Sequence, residues 1–128
     1  MSRLGRIACA LAIAGFMIPL AQADSKTSNK WRVELDHTAK SDGSIVLQVA
    51  PKDGEPIEAE AKIPKGNGEN EIAHAVRDSL KVALGKGYDV EVDDGEDVLV
   101  KAKGKTKPFG MKLVSSSVTG LEIELERE

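Results

Sequence analysis

The sequence is poor in the residues on which most catalytic and metal sites depend. Its 128 residues include one cysteine and two histidines. The cysteine, Cys9, lies in an apolar N-terminal stretch, so the rest of the chain can form neither a disulfide nor a thiolate zinc site. Aromatic residues make up only 3% of the chain, which is few for a platform that stacks sugars or bases. We therefore expect no cofactor and no metal centre.

The charge balance excludes a second class of function. The net charge is −3 at neutral pH, without the basic excess that a protein needs to grip nucleic acid through its phosphates. Nucleic acid is accordingly not an expected partner.

The first 23 residues have the composition of a secretory signal peptide. Arg3 and Arg6 precede an apolar run over residues 7–20, and a small-x-small pattern ends at Ala23. The run is shorter than a membrane-spanning helix requires. We predict cleavage near Ala23, a periplasmic or extracellular location, and no transmembrane segment in the mature chain. The alternative is an uncleaved membrane anchor.

The remaining sequence predicts a flexible polar segment over residues 24–30 and a single domain over residues 31–128. Three stretches of alternating apolar and polar residues come first, as is typical of half-buried strands. In the first stretch, Arg32, Glu34 and Asp36 alternate with the inward residues and are expected to face outward. Apolar residues then recur at i, i+3 and i+4 from Ile72 to Leu84, which favours a helix with Asn67 as its N-cap. Four further alternating stretches follow.

The fold class follows from this order of elements. We predict an α+β domain of predominantly antiparallel strands in the order β-β-β-α-β-β-β-β, with one helix packed on the sheet in two layers. The first three strands are expected to form a meander, because the connections between them are short. A sheet that wraps around the helix like a barrel would satisfy the same pattern.

Three segments after residue 63 share the layout of a known module. They are residues 67–76, the predicted hairpin of residues 88–92 and 98–103, and residues 109–113 together with 118–121. In this layout the chain resembles a small module of phage tail-sheath-like and bacterial surface proteins. The resemblance implies a capped, alanine-rich helix followed by two hairpins that pack against it. It also implies an assembly or binding role, and it carries over no catalytic residue.

The two histidines are the first candidates for catalysis. His74 and Asp78 are spaced i, i+4 on the predicted helix, so their side chains can meet. Neither histidine lies in a recognised catalytic motif. We interpret His74 as a surface helix residue and His37 as a rim residue at the end of the first strand, and we predict that the protein is not an enzyme. An envelope hydrolase that uses His74 is the remote alternative.

Residues 93–97 (Asp-Asp-Gly-Glu-Asp) concentrate four carboxylates. The spacing of an EF-hand calcium loop is missing, so a solvated hairpin turn is the favoured interpretation. A weak site for a hard cation remains the alternative.

Two rows of like charge are more distinctive. Lysines recur at every second position, and an extended backbone would place them on one face as a strip for an anionic partner. Glutamates follow the same spacing at the C-terminus. The alternative is that both rows are solvent faces of strands, which would exchange ion pairs if the strands were adjacent. The two rows are Lys101, Lys103, Lys105 and Lys107, and Glu122, Glu124, Glu126 and Glu128.

Taken together, these patterns predict a small exported, non-enzymatic binding or inhibitor-type domain. Its expected partner is another protein or an anionic component of the cell envelope. The alternative is a structural subunit that packs into a cell-surface or phage-like assembly by strand addition. The sequence leaves the oligomeric state open.

Overall fold

The computed structural model of the protein describes residues 26–128. The predicted signal peptide, its cleavage near Ala23 and the start of the polar segment lie outside the described residues. Hydrogen-bonded structure begins slightly before the predicted start of the domain at Trp31. Ser28 forms an antiparallel bridge with Phe109, and the first strand begins at Lys30.

The predicted fold class and order of elements are confirmed. Seven strands and one helix follow one another as expected. Their bounds are β1 Lys30–Asp36, β2 Gly43–Pro51, β3 Ile57–Ile63, α1 Glu69–Leu84, β4 Tyr88–Asp93, β5 Asp97–Ala102, β6 Phe109–Ser116 and β7 Glu122–Arg127.

The strands form two antiparallel sheets, and the predicted three-strand meander is wrong. One sheet has the order β4-β5-β1-β7 and the other has the order β3-β2-β6. The chain leaves β1 at His37, whose φ of 79° turns it away from the strand direction. The connection is then anchored near the helix, since the Ala39 N–H donates to the Asn67 carbonyl over 2.9 Å. β2 therefore lies across the core from β1 and not beside it.

The second predicted hairpin is also wrong. β6 pairs with β2, whereas β7 pairs with β1 in the other sheet. The segment between them is tied to the start of β2, because the Ser117 N–H donates to the Ser44 carbonyl over 2.9 Å. Val118 is buried beneath it, and Gly120 turns the chain with a φ of 83°. The turn thus carries the chain from one sheet to the other.

Helix α1 closes one side of the two sheets, where it packs against β3 and β4. Gly68, not the predicted Asn67, is its N-cap, and the Gly68 N–H donates to the Glu71 carboxylate over 2.9 Å. The helix ends at Gly85, whose φ of 74° suits a residue without a Cβ. Within residues 26–128, no helix has the length and apolar character needed to cross a membrane.

Phe109 links the two sheets through the core. It is fully buried at the start of β6. Its ring meets the Tyr88 ring edge-on, with centroids 5.3 Å apart, and its carbonyl accepts a 2.7 Å hydrogen bond from the Trp31 indole. Phe109 therefore contacts both β4 and β1 of the opposite sheet, and three of the four aromatic residues in the sequence meet here.

Substitution of Phe109 by Ala should destabilise the domain strongly. Loss of a buried Phe side chain costs about 3–5 kcal/mol of the free energy of unfolding, and urea denaturation measures this loss. Val82→Ala is the control, because Val82 is 88% exposed and its loss should change stability by less than about 0.5 kcal/mol. A Phe109→Ala variant as stable as Val82→Ala would contradict this role.

Candidate functional site: an acidic sheet face

The predicted lysine strip does not form one continuous row. β5 ends at Ala102, and Gly104 reverses the backbone with a φ of 56°. Lys101 lies in β5 with its Nζ 3.5 Å from Glu91, while the Nζ of Lys107 lies 3.6 Å from Asp53. Lys103 and Lys105 are exposed in the loop between β5 and β6. Binding of an anionic partner by these lysines stays a prediction.

The lysine and glutamate rows do not pair with each other. β1 lies between β5, which contains Lys101, and β7, which contains Glu122, Glu124 and Glu126. The other three lysines follow β5 in the loop. The glutamates of β7 instead face the outward side chains of β1, where Glu126 lies opposite Arg32 and Glu124 opposite Glu34.

The four-stranded sheet therefore presents an outer surface dominated by carboxylates, which we call the acidic face. Along β1, side chains alternate between the core and this surface, and the register extends the alternation to the neighbouring strands. Its cations are Lys30, Arg32 and Lys101. Its carboxylates are Glu34, Asp36, Asp89, Glu91, Asp93, Asp97, Glu122, Glu124, Glu126 and Glu128.

One row across the acidic face is negative on every strand. Asp93 of β4 lies opposite Asp97 of β5, which in turn lies opposite Glu34 of β1. Glu34 then lies opposite Glu124 of β7. Like charges placed directly opposite each other destabilise an antiparallel pair. Such a row opposes folding wherever no cation lies beside it.

Arg32 neutralises part of this charge at the centre of the sheet. Its Nη1 lies 2.7 Å from an Asp97 oxygen and 3.1 Å from an Asp93 oxygen, and its Nε lies 2.9 Å from a Glu128 oxygen. The Arg32 side chain is only 17% exposed. These hydrogen bonds, led by the one to Glu128, raise the pKa of Arg32 and lower the pKa of Glu128. The guanidinium consequently joins β1 to β4, to β5 and to the side chain of Glu128.

Glu34 forms no salt bridge with a cation within residues 26–128. Partial desolvation, followed by repulsion from Glu126, Asp97 and Glu124, raises the pKa of Glu34 above its ordinary value. The negative potential around Glu34 therefore disfavours its own ionised form. A cation placed here would relieve that repulsion.

The acidic face continues beyond β1 to the start of the helix. Asp36 lies opposite Glu122, and repulsion from Glu69 of α1, together with desolvation, raises the pKa of Glu96 in the β4–β5 turn. Glu69 is held in place because one of its oxygens accepts a 2.8 Å hydrogen bond from the His37 N–H. The His37 ring Nε2 lies 3.7 Å from a Glu122 oxygen, so the histidine borders the face.

Two groups of carboxylates on this surface have a spacing suited to a hard divalent cation, which prefers oxygen ligands. In each group, the side-chain oxygens lie within 4.8 Å of one another. The groups are Glu34, Glu124 and Glu126, and Asp36, Glu69 and Glu96.

The turn at residues 94–96 has the predicted hairpin form. Asp94 and Gly95 both have positive φ, 55° and 78°, as tight hairpin turns require. The flanking Asp93 and Asp97 bind Arg32, so these two carboxylates are committed to the guanidinium. Cation binding by the turn itself stays untested.

The contact that the spacing of His74 and Asp78 allows is not formed, and His74 is a surface helix residue as interpreted from the sequence. His74 is exposed on α1, and its Nδ1 lies 2.7 Å from the carbonyl of Asn70 in its own helix. Asp78 instead accepts a 2.8 Å hydrogen bond from Arg77. The imidazole–carboxylate pair that the hydrolase alternative requires is not formed.

Sequence patterns indicated only part of this site. The alternation along β1 identified Arg32, Glu34 and Asp36 as outward, and the spacing of the C-terminal glutamates predicted one face. Their juxtaposition depends on the pairing of the first strand with the last, which no short-range pattern specifies.

Comparison of the chain with protein-family models gives no matching family, and comparison with the curated proteins gives no matching relative. The candidate site is therefore interpreted from its own geometry and charge.

Replacing Glu34 by Gln should raise the thermal midpoint at neutral pH and flatten its pH dependence. Because the folded-state pKa of Glu34 is raised, its repulsion is absent below the ordinary pKa of a glutamate and complete above the raised value. Acidification from about pH 6 to about pH 4 should thus relieve repulsion in the wild type but not in the variant.

Glu128 acts with the opposite sign. Its folded-state pKa is lowered, so its stabilising contact with Arg32 is lost only as the pH falls through that lower value. The thermal midpoints of the wild type and of Glu34→Gln, measured between about pH 6 and about pH 4, test the prediction. Parallel curves for the wild type and Glu34→Gln would contradict it.

Replacing Arg32 by Gln should lower the free energy of unfolding by about 1–3 kcal/mol, because three carboxylates lose their charged donor. Arg32→Lys should lose less, since it keeps the charge but not the planar fork. Arg77→Gln is the control, because its ion pair with the adjacent Asp78 is on the surface and contributes less than about 1 kcal/mol. Urea denaturation that ranks Arg32→Gln with the control would refute the prediction.

Proposed function

We propose that this protein is a small exported, non-enzymatic binding domain whose acidic face recognises a basic region of another protein. The carrying observation is that Glu34 lies opposite both Asp97 and Glu124, while within residues 26–128 neither Glu34 nor Glu124 forms a salt bridge. Such an arrangement lowers the stability of the free domain. A bound cationic surface would remove this repulsion, and the repulsion relieved in the complex favours binding.

The geometry suits a protein partner. The residues that carry the carboxylates lie on a hydrogen-bonded sheet, so their backbone is ordered before binding. This lowers the ordering cost of association. A surface of one sign also accelerates encounter with a partner of opposite charge and disfavours wrong partners. Export is supported by the pattern of residues 1–23.

An anionic envelope component would need a different surface. Among the lysines of the predicted strip, only Lys103 and Lys105, in the loop between β5 and β6, have no salt-bridge partner within the described residues. This favours a basic protein over an anionic component as the partner.

A pair of charge-matched variants tests the proposal with a fluorescent oligolysine peptide as the probe. Glu34→Lys combined with Glu124→Lys should weaken binding by at least about tenfold, which corresponds to about 1.4 kcal/mol. Glu58→Lys combined with Glu60→Lys makes the same change in net charge on β3 of the other sheet, where both side chains are exposed. This control should weaken binding by less than about threefold.

Fluorescence anisotropy at fixed ionic strength provides the affinities. An equal loss in both double variants would show that the peptide responds to net charge alone, and it would overturn the assignment of the acidic face. Circular dichroism of each variant verifies that the fold is retained.

A further inference from the structure

Within residues 26–128, helix α1 covers one side of the two sheets, and no helix or strand covers the other. Helix α1 packs against the edge strands β3 and β4. On the opposite side, the edge strands β6 and β7 are not hydrogen-bonded to each other. We call this second edge the open side, and define it by the inward-facing residues Leu113 of β6 and Ile123 and Leu125 of β7.

The open side exposes apolar surface on both of its strands. Leu113 is 37% exposed, although it lies opposite the buried Leu47 on the inner face of β2. Val114 is 43% exposed at the point where the ladder with β2 shifts register. Ile123 and Leu125 are only partly buried. Leu113, Ile123 and Leu125 face the space between the sheets, and nothing within residues 26–128 covers them fully.

Strand β7 also has backbone groups that point away from its neighbour. The Glu128 N–H donates to the Lys30 carbonyl over 3.0 Å. Because hydrogen-bonded and non-bonded positions alternate along an antiparallel pair, the N–H and carbonyl groups of Ile123, Leu125 and Arg127 face the open side. Among the described strands, none pairs with this edge.

One residue of the chain already occupies the end of the open side as an added strand would. The Ser28 N–H donates to the Phe109 carbonyl, and the Phe109 N–H donates to the Ser28 carbonyl, both over 2.9 Å. The Ser28 hydroxyl donates to the Glu128 carbonyl over 2.9 Å. Extended backbone thus pairs with the outer edge of β6, at the end of the space between β6 and β7.

The negative charge of the outward β7 side chains determines which kind of strand can pair with β7. Its outward residues Glu122, Glu124 and Glu126 would lie opposite the same residues of a second copy in a symmetric strand pairing, and like charges so placed are destabilising. A strand with cations at alternate positions would instead place an opposite charge beside each glutamate.

We propose that the open side binds an extended segment of the partner as an added strand on β7, and that cationic and apolar residues alternate along this segment. The cationic side chains lie beside Glu122, Glu124 and Glu126 on the acidic face. The apolar side chains cover Leu113, Ile123 and Leu125 between the sheets. Main-chain hydrogen bonds supply affinity and the alternation supplies specificity, as in other strand-addition complexes. This inference rests on the proposed function, since it extends the acidic face to its edge.

The test uses a peptide of alternating Lys and Val and two N-methylated versions of it. One version carries the methyl groups on every Val nitrogen, and the other carries them on every Lys nitrogen. In a paired strand, the N–H groups of only one of these sets face β7. One version should therefore bind within about threefold of the parent peptide, and the other should bind at least about tenfold more weakly.

Hydrogen exchange of the protein gives a second measurement on the same complex. The amides of Ile123 and Leu125 should exchange more slowly when the parent peptide is bound, because they become donors to it. A peptide in which all Lys precede all Val has the same charge and composition, and it should give little protection.

Three other outcomes would overturn the strand pairing. If both N-methylated peptides bind as tightly as the parent, the edge is not used, while binding of a basic peptide to the acidic face still stands. If none of the peptides binds, the proposed function fails as well. If light scattering shows a dimer in which the amides of Ile123 and Leu125 are already protected, a second copy occupies the open side.

Discussion

Arg32 is the residue through which the acidic sheet becomes compatible with folding. Its guanidinium contacts the side-chain carboxylates of Asp93, Asp97 and Glu128 at 2.7–3.1 Å, and it lies on β1, whose inward residues belong to the core. The same strand therefore supplies both the hydrophobic layer and the cation that ties its acidic neighbours together. Without this cation, the outer surface of the sheet would hold repelling carboxylates on every strand.

The compensation by Arg32 is local, and this separates the carboxylates that it binds from those that we propose to bind a partner. Asp93 and Asp97 lie within its reach, whereas Glu34 and Glu124 do not. Repulsion within an exposed cluster is weakened by water and salt, so the domain tolerates it. The uncompensated carboxylates continue to the outer edge of β7, which pairs with no strand within residues 26–128. In this account, the surface and the edge form one binding region.

Much of the fold could be predicted from local pattern, because strand and helix periods depend on residues close in sequence. The outward placement of Glu34 followed from alternation in this way. The pairing of β1 with β7 could not be predicted, since it joins the two ends of the domain. The predicted lysine strip is not a continuous row, because the extended backbone ends before Gly104. A charge pattern alone does not specify where a strand ends.

Mapping of two oppositely charged probes by NMR tests the account most directly. Backbone amide shifts of one labelled sample are followed during titration with oligolysine, and then with an anionic polyphosphate. The account predicts that oligolysine shifts the amides of Glu34 and Glu124 and that polyphosphate leaves them unchanged. Shifts confined to Lys103 and Lys105 on addition of polyphosphate, with no response to oligolysine, would contradict it.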